Sequence, residues 1–186
     1  MKTSKGFTLI EVLITFIIVA LGLLGFMAYQ VNALNQAVET YQRGQVMNEL
    51  ISMANRMRLN APAAYRGEYL DNSINLGKIP QVACGNLPTI AKRDLCEFNN
   101  ILNSGNQYTQ AEFVPAGTLG CITELPGKAK PGELRVFRIE IVWPGQAQGV
   151  TSIAIPCGED EIDEEYRRGL YRDVAVRNYD KEIGES

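Results

Sequence analysis

The sequence contains no histidine and only one tryptophan. Without histidine there is no Ser-His-Asp or Cys-His couple to activate a nucleophile. Its four cysteines, Cys84, Cys96, Cys121 and Cys157, include no Cys-x-x-Cys pair. The closely spaced ligand pairs of a structural zinc site are therefore missing, and no metal is expected. No glycine-rich phosphate loop stands between a strand and a helix. Positive charge is not in excess either: 18 Lys and Arg face 21 Asp and Glu, a net charge of −3. Sequence-independent nucleic-acid binding needs clustered cations, so no nucleic-acid partner is expected. The local basic groups, Arg56, Arg58 and Arg66, then Arg167, Arg168 and Arg172, have acidic neighbours and read as solvated surface. The run Glu159, Asp160, Glu161, Asp163, Glu164 and Glu165 lacks the spacing and the glycine of an EF-hand. It reads as a solvated loop, with calcium the less favoured alternative. Nothing places two carboxylates across a cleft, so neither an enzyme nor a cofactor is expected.

Charge is also scarce in one long stretch. Between Phe7 and Tyr29 the only charged residue is Glu11. About 20 apolar residues suffice to cross a hydrocarbon core, so residues 7–29 read as a membrane helix. A carboxylate at that depth costs about 2.5–3.5 kcal/mol on insertion scales, which makes it a functional candidate. A secretory signal peptide is the ordinary alternative. The run is longer than a signal core, no small-x-small cleavage site follows it, and Glu11 lies within it. A plain single-pass anchor leaves Glu11 unexplained. Lys2 and Lys5 precede the run and the next basic residue is Arg43. The positive-inside rule then places the N-terminus in the cytoplasm and the rest across the membrane. In that oxidising compartment four cysteines read as two disulfides. Three connectivities are open. Cys84–Cys96 and Cys121–Cys157 is the expected one, the first closing a short loop and the second joining two strand regions.

Beyond the membrane run the helix is expected to continue to about residue 60. Val31, Leu34, Val38, Tyr41, Met47, Leu50, Ile51, Ala54 and Met57 recur three or four apart. Asn60-Ala61-Pro62 ends it, because the residue before a proline is pushed out of the helical region. Such a helix is about 80 Å long at 1.5 Å per residue. Gly22 and Gly25 suit either close helix contact or a bend. Residues 61–120 read as a long irregular connection, stapled by Cys84 and Cys96, with one short helix over 91–102. Residues 133–143 alternate as a strand, with Phe137, Ile139, Ile141 and Trp143 on one face and Arg138 and Glu140 on the other. A turn over 144–148 and a strand over 150–157 complete an expected hairpin. Further strands are expected over 171–178 and 119–125. The fold class is α+β, a long N-terminal helix covering the apolar face of a C-terminal antiparallel sheet.

The N-terminus, Lys5-Gly6-Phe7-Thr8-Leu9-Ile10-Glu11, closely resembles the class III leader of type IV prepilins and pseudopilins. The resemblance implies a type IV pilin fold, with residues 1–6 as leader and 7–29 as the membrane-spanning and polymerising half of the helix. Residues 30–186 are then a periplasmic pilin domain, with the sheet over 121–180. An inner-membrane prepilin peptidase is expected to cut between Gly6 and Phe7 and to methylate the Phe7 amine. Glu11 of one subunit is expected to pair with the Phe7 amine of a neighbour. Further pieces resemble the minor pilins called type IV pilus modification protein, or PilV. These are Asn55-Arg56-Met57-Arg58-Leu59-Asn60, Asp94-Leu95, Leu125-Pro126-Gly127, Ile141-Val142-Trp143 and Val176-Arg177-Asn178. Phe98 stands where that pattern has a tryptophan, and the insertion Lys128-Ala129-Lys130-Pro131 and the acidic 159–165 loop depart from it. The resemblance implies a minor pilin that primes or enters a type IV pilus and supports adhesion and twitching motility. Its partners would be minor and major pilins and a pilus-tip adhesin. The alternatives are a type II secretion pseudopilin and, less favoured, a DNA-uptake pilin.

Overall fold

A computed structural model describes residues 6–70, 75–104, 114–126, 134–149 and 155–177. The chain divides into two compact units, Met1–Thr40 and Tyr41–Ser186. Helix α1, Leu9–Leu59, contributes to both. In the first unit every residue of α1 from Leu9 to Ala37 is exposed. The helix is long and apolar enough here to cross a membrane.

In the second unit α1 is followed by α2, Ala61–Tyr65, and α3, Ile90–Ser104. Three strands follow: β1 Leu119–Glu124, β2 Leu134–Pro144 and β3 Arg167–Arg177. They form one antiparallel sheet in the order β1-β2-β3, with Ile122 opposite Ile139 and Val174 opposite Phe137. The C-terminal part of α1 buries Val46, Leu50, Met53, Ala54 and Met57 in one core with Phe137, Ile139, Ile141, Trp143, Val174 and Val176. The fold is therefore α+β, an apolar N-terminal helix packed on a three-stranded antiparallel sheet. The buried stripe is rotated from the expected one. Met47 and Ile51 are exposed, while Val46 and Met53 are inside. Val46-Met47 and Leu50-Ile51 are apolar pairs at neighbouring positions, and periodicity alone does not choose between neighbours.

Asn60 breaks α1 with φ −107° and ψ 45°, but the chain turns straight into α2. Pro62 is the second residue of that short helix, where a missing N–H is no loss. The connection 76–87 is irregular yet fastened to α3. Asn99 accepts from the Gly77 N–H at 2.8 Å and donates to the Ile79 carbonyl at 3.0 Å. Asn100 donates to the Val82 carbonyl at 2.8 Å, and the Cys84–Cys96 disulfide closes the far end. α3 lies close to β1 because Gly120 has no side chain. A Cβ there would fall 2.5 Å from Leu102 Cδ1 and 3.2 Å from Phe98 Cε1. Gly120→Val is expected to destabilise the protein by about 1–3 kcal/mol through overpacking, read as a lower denaturant midpoint.

The expected hairpin over 133–143 and 150–157 is corrected. β2 is flanked by β1 and β3, which take both of its edges. Residues 150–154 lie outside the described residues, and 155–157 are not in a strand. Pro156 has no N–H for a ladder, and Cys157 is drawn across β1 by its disulfide to Cys121. The strand expected over 171–178 starts four residues earlier, at Arg167. Asn178, the leader residues 1–5, Gly127, Glu133 and the insertion Lys128–Pro131 lie outside the described residues.

The second face of the sheet, which carries Arg138 and Glu140, is covered as well. Ile155, Cys157 and the half-buried Ile162 pack on Leu119, Cys121 and Val142 as a second core. Gly169 opens the way: a Cβ there would lie 2.5 Å from Ile155 Cδ1.

Candidate docking site on the N-terminal helix

Phe7 and Thr8 precede the helix, and Leu9 is its first residue. The Thr8 carbonyl accepts from the Glu11 N–H at 3.1 Å and the Val12 N–H at 3.3 Å, which starts the first turn. Thr8-x-x-Glu11 has the spacing of a capping box, a signal that the reading of the sequence passed over. Glu11 therefore sits in the first turn, where the partial positive charge of the helix end favours a carboxylate. The Phe7 ring is 84 % exposed, and among the described residues the Glu11 carboxylate has no partner. At Gly22 and Gly25 an added Cβ would meet nothing within 4 Å, so the backbone there is open to another helix. The helix runs through both glycines without a break.

The second unit joins pieces of sequence that lie far apart. Arg56, near the end of α1, donates to Asp94 Oδ1 at 3.1 Å and also to Glu97 on α3. Tyr69 donates to Asp94 Oδ2 at 2.6 Å, while its hydroxyl accepts from Asn60 at 3.1 Å. Tyr69 is wholly buried and Asp94 is 7 % exposed. Burial, then the bond to Asp94, pushes the Tyr69 phenol well above its ordinary range. The Glu97 bond, with Asp94 behind it, holds the Arg56 guanidinium more firmly protonated. Arg56, Asn60 and Asp94 belong to the sequence pieces that carry the resemblance; Tyr69 does not. Phe98 is buried at 3 % exposure among the core residues.

The other candidate residues fall as follows. Both disulfides form, Cys84–Cys96 and Cys121–Cys157, with Cα separations of 5.7 and 5.8 Å. Among the described residues no group of three or more His, Cys, Asp or Glu is arranged to hold a metal. In the acidic loop Glu161 pairs with Lys78 and Glu165 accepts from Gln148. The basic groups are less uniformly solvated than expected. Arg56 and Arg66 are paired, Arg168 donates to the Ala147 carbonyl, and Arg167 is buried. A cleft of about 580 Å³ lies between Lys78, Pro144, Ile162 and Tyr166. Its lysine already holds Glu161.

A family model described as the prokaryotic N-terminal methylation motif matches residues 1–27. No curated protein matches the chain, and no solved structure does. Motif, apolar helix and α+β fold together define a type IV pilin-like protein. The motif supports a pilin or pseudopilin role, and it implies pilin partners and processing by a prepilin peptidase.

Proposed function

We propose that the chain is a minor pilin, of the kind that primes or enters a type IV pilus. The observation that carries this reading is Glu11: a carboxylate without a partner among the described residues, in the first turn of an exposed apolar helix, four residues after Phe7. Cleavage between Gly6 and Phe7 would free an amine that stays cationic when methylated. Glu11 of an incoming subunit then meets the Phe7 amine of its neighbour. A charge pair in low dielectric breaks even only with good geometry, and one partner alone is costly. The pair therefore selects axial register more than it adds affinity. Gly22 and Gly25 suit close approach of the neighbouring helix.

In this reading residues 1–6 are the leader and 7–29 the membrane-spanning and polymerising segment. Residues 30–186 form a periplasmic domain that reaches the cell surface in the pilus. Leader loss removes Lys2 and Lys5 and takes the net charge from −3 to −5. The domain is structural, without a catalytic role, and its loops select minor pilins or a tip adhesin, supporting adhesion and twitching motility. The pattern Asn55–Asn60, Asp94-Leu95 and Ile141–Trp143 favours the type IV pilus modification proteins.

A type II secretion pseudopilin is the second reading, since leader, helix and sheet are shared. Gene deletion separates the two. Loss of surface pili and of twitching, with exoprotein export intact, is the expected result. Lost export with normal pili would transfer the protein to the secretion system. Lost transformation with pili intact would transfer it to DNA uptake.

A further inference from the structure

Glu140 lies on the sheet face turned away from α1, and only 2 % of it is exposed. Above it runs the segment 155–166, joined to β1 by the Cys121–Cys157 disulfide. The one hydrogen bond to its carboxylate among the described residues comes from the Cys157 N–H, at 3.3 Å. The charged groups around it are already committed. Arg138, two residues away on the same face, gives two bonds of 2.7 and 3.0 Å to Asp173 on β3. Its guanidinium also lies 4.1 Å from the centre of the Tyr171 ring. Tyr171 stands directly opposite Glu140 on β3, and Cys121 opposite it on β1. Arg167 sits at the far end of β3, opposite Pro144. Glu140 is thus a buried carboxylate with no counter-ion of its own among the described residues.

We infer that residues 155–166 form a latched strap, held closed over Glu140 by the Cys121–Cys157 disulfide, and that severing this bond lets the strap lift at neutral pH but not in acid. The packing is close: Cβ atoms at Gly158 and Gly169 would lie 2.8 Å from Val142 and 2.5 Å from Ile155. Ile155 and Ile162 hold the strap by apolar contact, and Lys78 holds it through Glu161. Against these stands the desolvation of an ionised Glu140. Burial raises its affinity for a proton; the Cys157 N–H and Arg138 oppose this, and Asp173 adds to it. The closed strap therefore binds a proton more tightly than the open one. Closure is most favourable below the ordinary carboxylate range. It weakens as pH rises, until Glu140 is ionised in the closed form too. A dithiol severs the bond, becoming a disulfide itself as Cys121 and Cys157 become thiols. Opening bares Leu119, Val142 and the Cys121 side chain.

Hydrogen exchange of the full chain in detergent micelles tests this. The severed state is made with Cys121→Ser and Cys157→Ser, so that Cys84–Cys96 stays intact. At pH 7 amides in 155–166 of that variant should exchange at least ~10-fold faster than in the parent. At pH 4.5 the difference should shrink to about twofold, since linkage changes opening by up to about tenfold per pH unit. Adding Glu140→Gln, which keeps an acceptor for Cys157 but no charge, should restore protection at pH 7 to within about threefold. Breaking Cys84–Cys96 instead should leave 155–166 unchanged. Equal protection of the severed and parent strap at pH 7 would overturn the inference. So would equal opening at both pH values, no rescue by Glu140→Gln, or loss of protection spreading to β2 and α3.

Discussion

Glu11→Val is expected to leave leader cleavage after Gly6 intact and to remove the protein from sheared surface filaments. A neighbour's Phe7 amine would then be buried without its partner. Breaking a buried pair in this way costs about 3–5 kcal/mol, or roughly two to four orders of magnitude in docking. Failed membrane insertion would not account for the loss. Valine removes a carboxylate that costs about 2.5–3.5 kcal/mol at membrane depth, so the helix inserts more readily than before. Glu11→Gln separates charge from shape, since it keeps length and acceptor but cannot neutralise the amine. It should fail nearly as badly, whereas Glu11→Asp should retain some incorporation at reduced yield. Membrane fractionation, gel mobility of the processed form and immunoblots of sheared filaments provide the three readouts. Normal incorporation of Glu11→Val would refute the pairing.

What could be read in the sequence is what depends on local pattern. The run after Phe7, with Glu11 its only charge, reads as a membrane helix because so long an apolar segment has few other uses. The α3 helix was legible because Leu95, Phe98 and Leu102 share a face, and they are buried. The β2 strand was legible because Phe137, Ile139, Ile141 and Trp143 alternate, and all four are in the main core. What was not legible depends on contacts distant in sequence. Pairing β2 with β3 across residues 145–166 needs the backbone of that connection. Gly145 and Gly149 donate to the Tyr166 and Glu165 carbonyls at 2.6 and 2.8 Å, which lays the connection alongside itself. Alternation put Arg138 and Glu140 alike on the face opposite the apolar one, and said nothing of what covers that face. The strap that buries Glu140 comes from residues whose composition gives no sign of where they lie. Tyr69, in an uninformative stretch, acquires meaning only when Asp94 and Asn60 are beside it.

Asp94→Ala is the second change expected to act strongly, through stability rather than docking. Asp94 accepts from Arg56 and from Tyr69, so α1, α3 and the segment after α2 meet at one carboxylate. Its removal leaves the Tyr69 hydroxyl, on a wholly buried side chain, without its acceptor. It also leaves Arg56, about one-third exposed, with Glu97 alone. Removing one member of a buried charged network costs about 3–5 kcal/mol, a large part of the roughly 5–15 kcal/mol of a typical domain. Tyr69→Phe removes the donor instead and leaves Asp94 to Arg56, so it should cost only about 1–2 kcal/mol. The double variant should fall short of the sum of the two single losses, because the Tyr69–Asp94 bond would otherwise be counted twice. Asp94→Asn keeps an acceptor for Tyr69 and loses the attraction to Arg56, so it should lie between Tyr69→Phe and Asp94→Ala. Urea unfolding of the full chain in detergent, followed by tryptophan fluorescence, measures all four, since Trp143 lies in the same core. A loss below about 1 kcal/mol for Asp94→Ala would mean that the network is only surface decoration. A loss near the upper figure would explain how so small a sheet fixes the end of so long a helix.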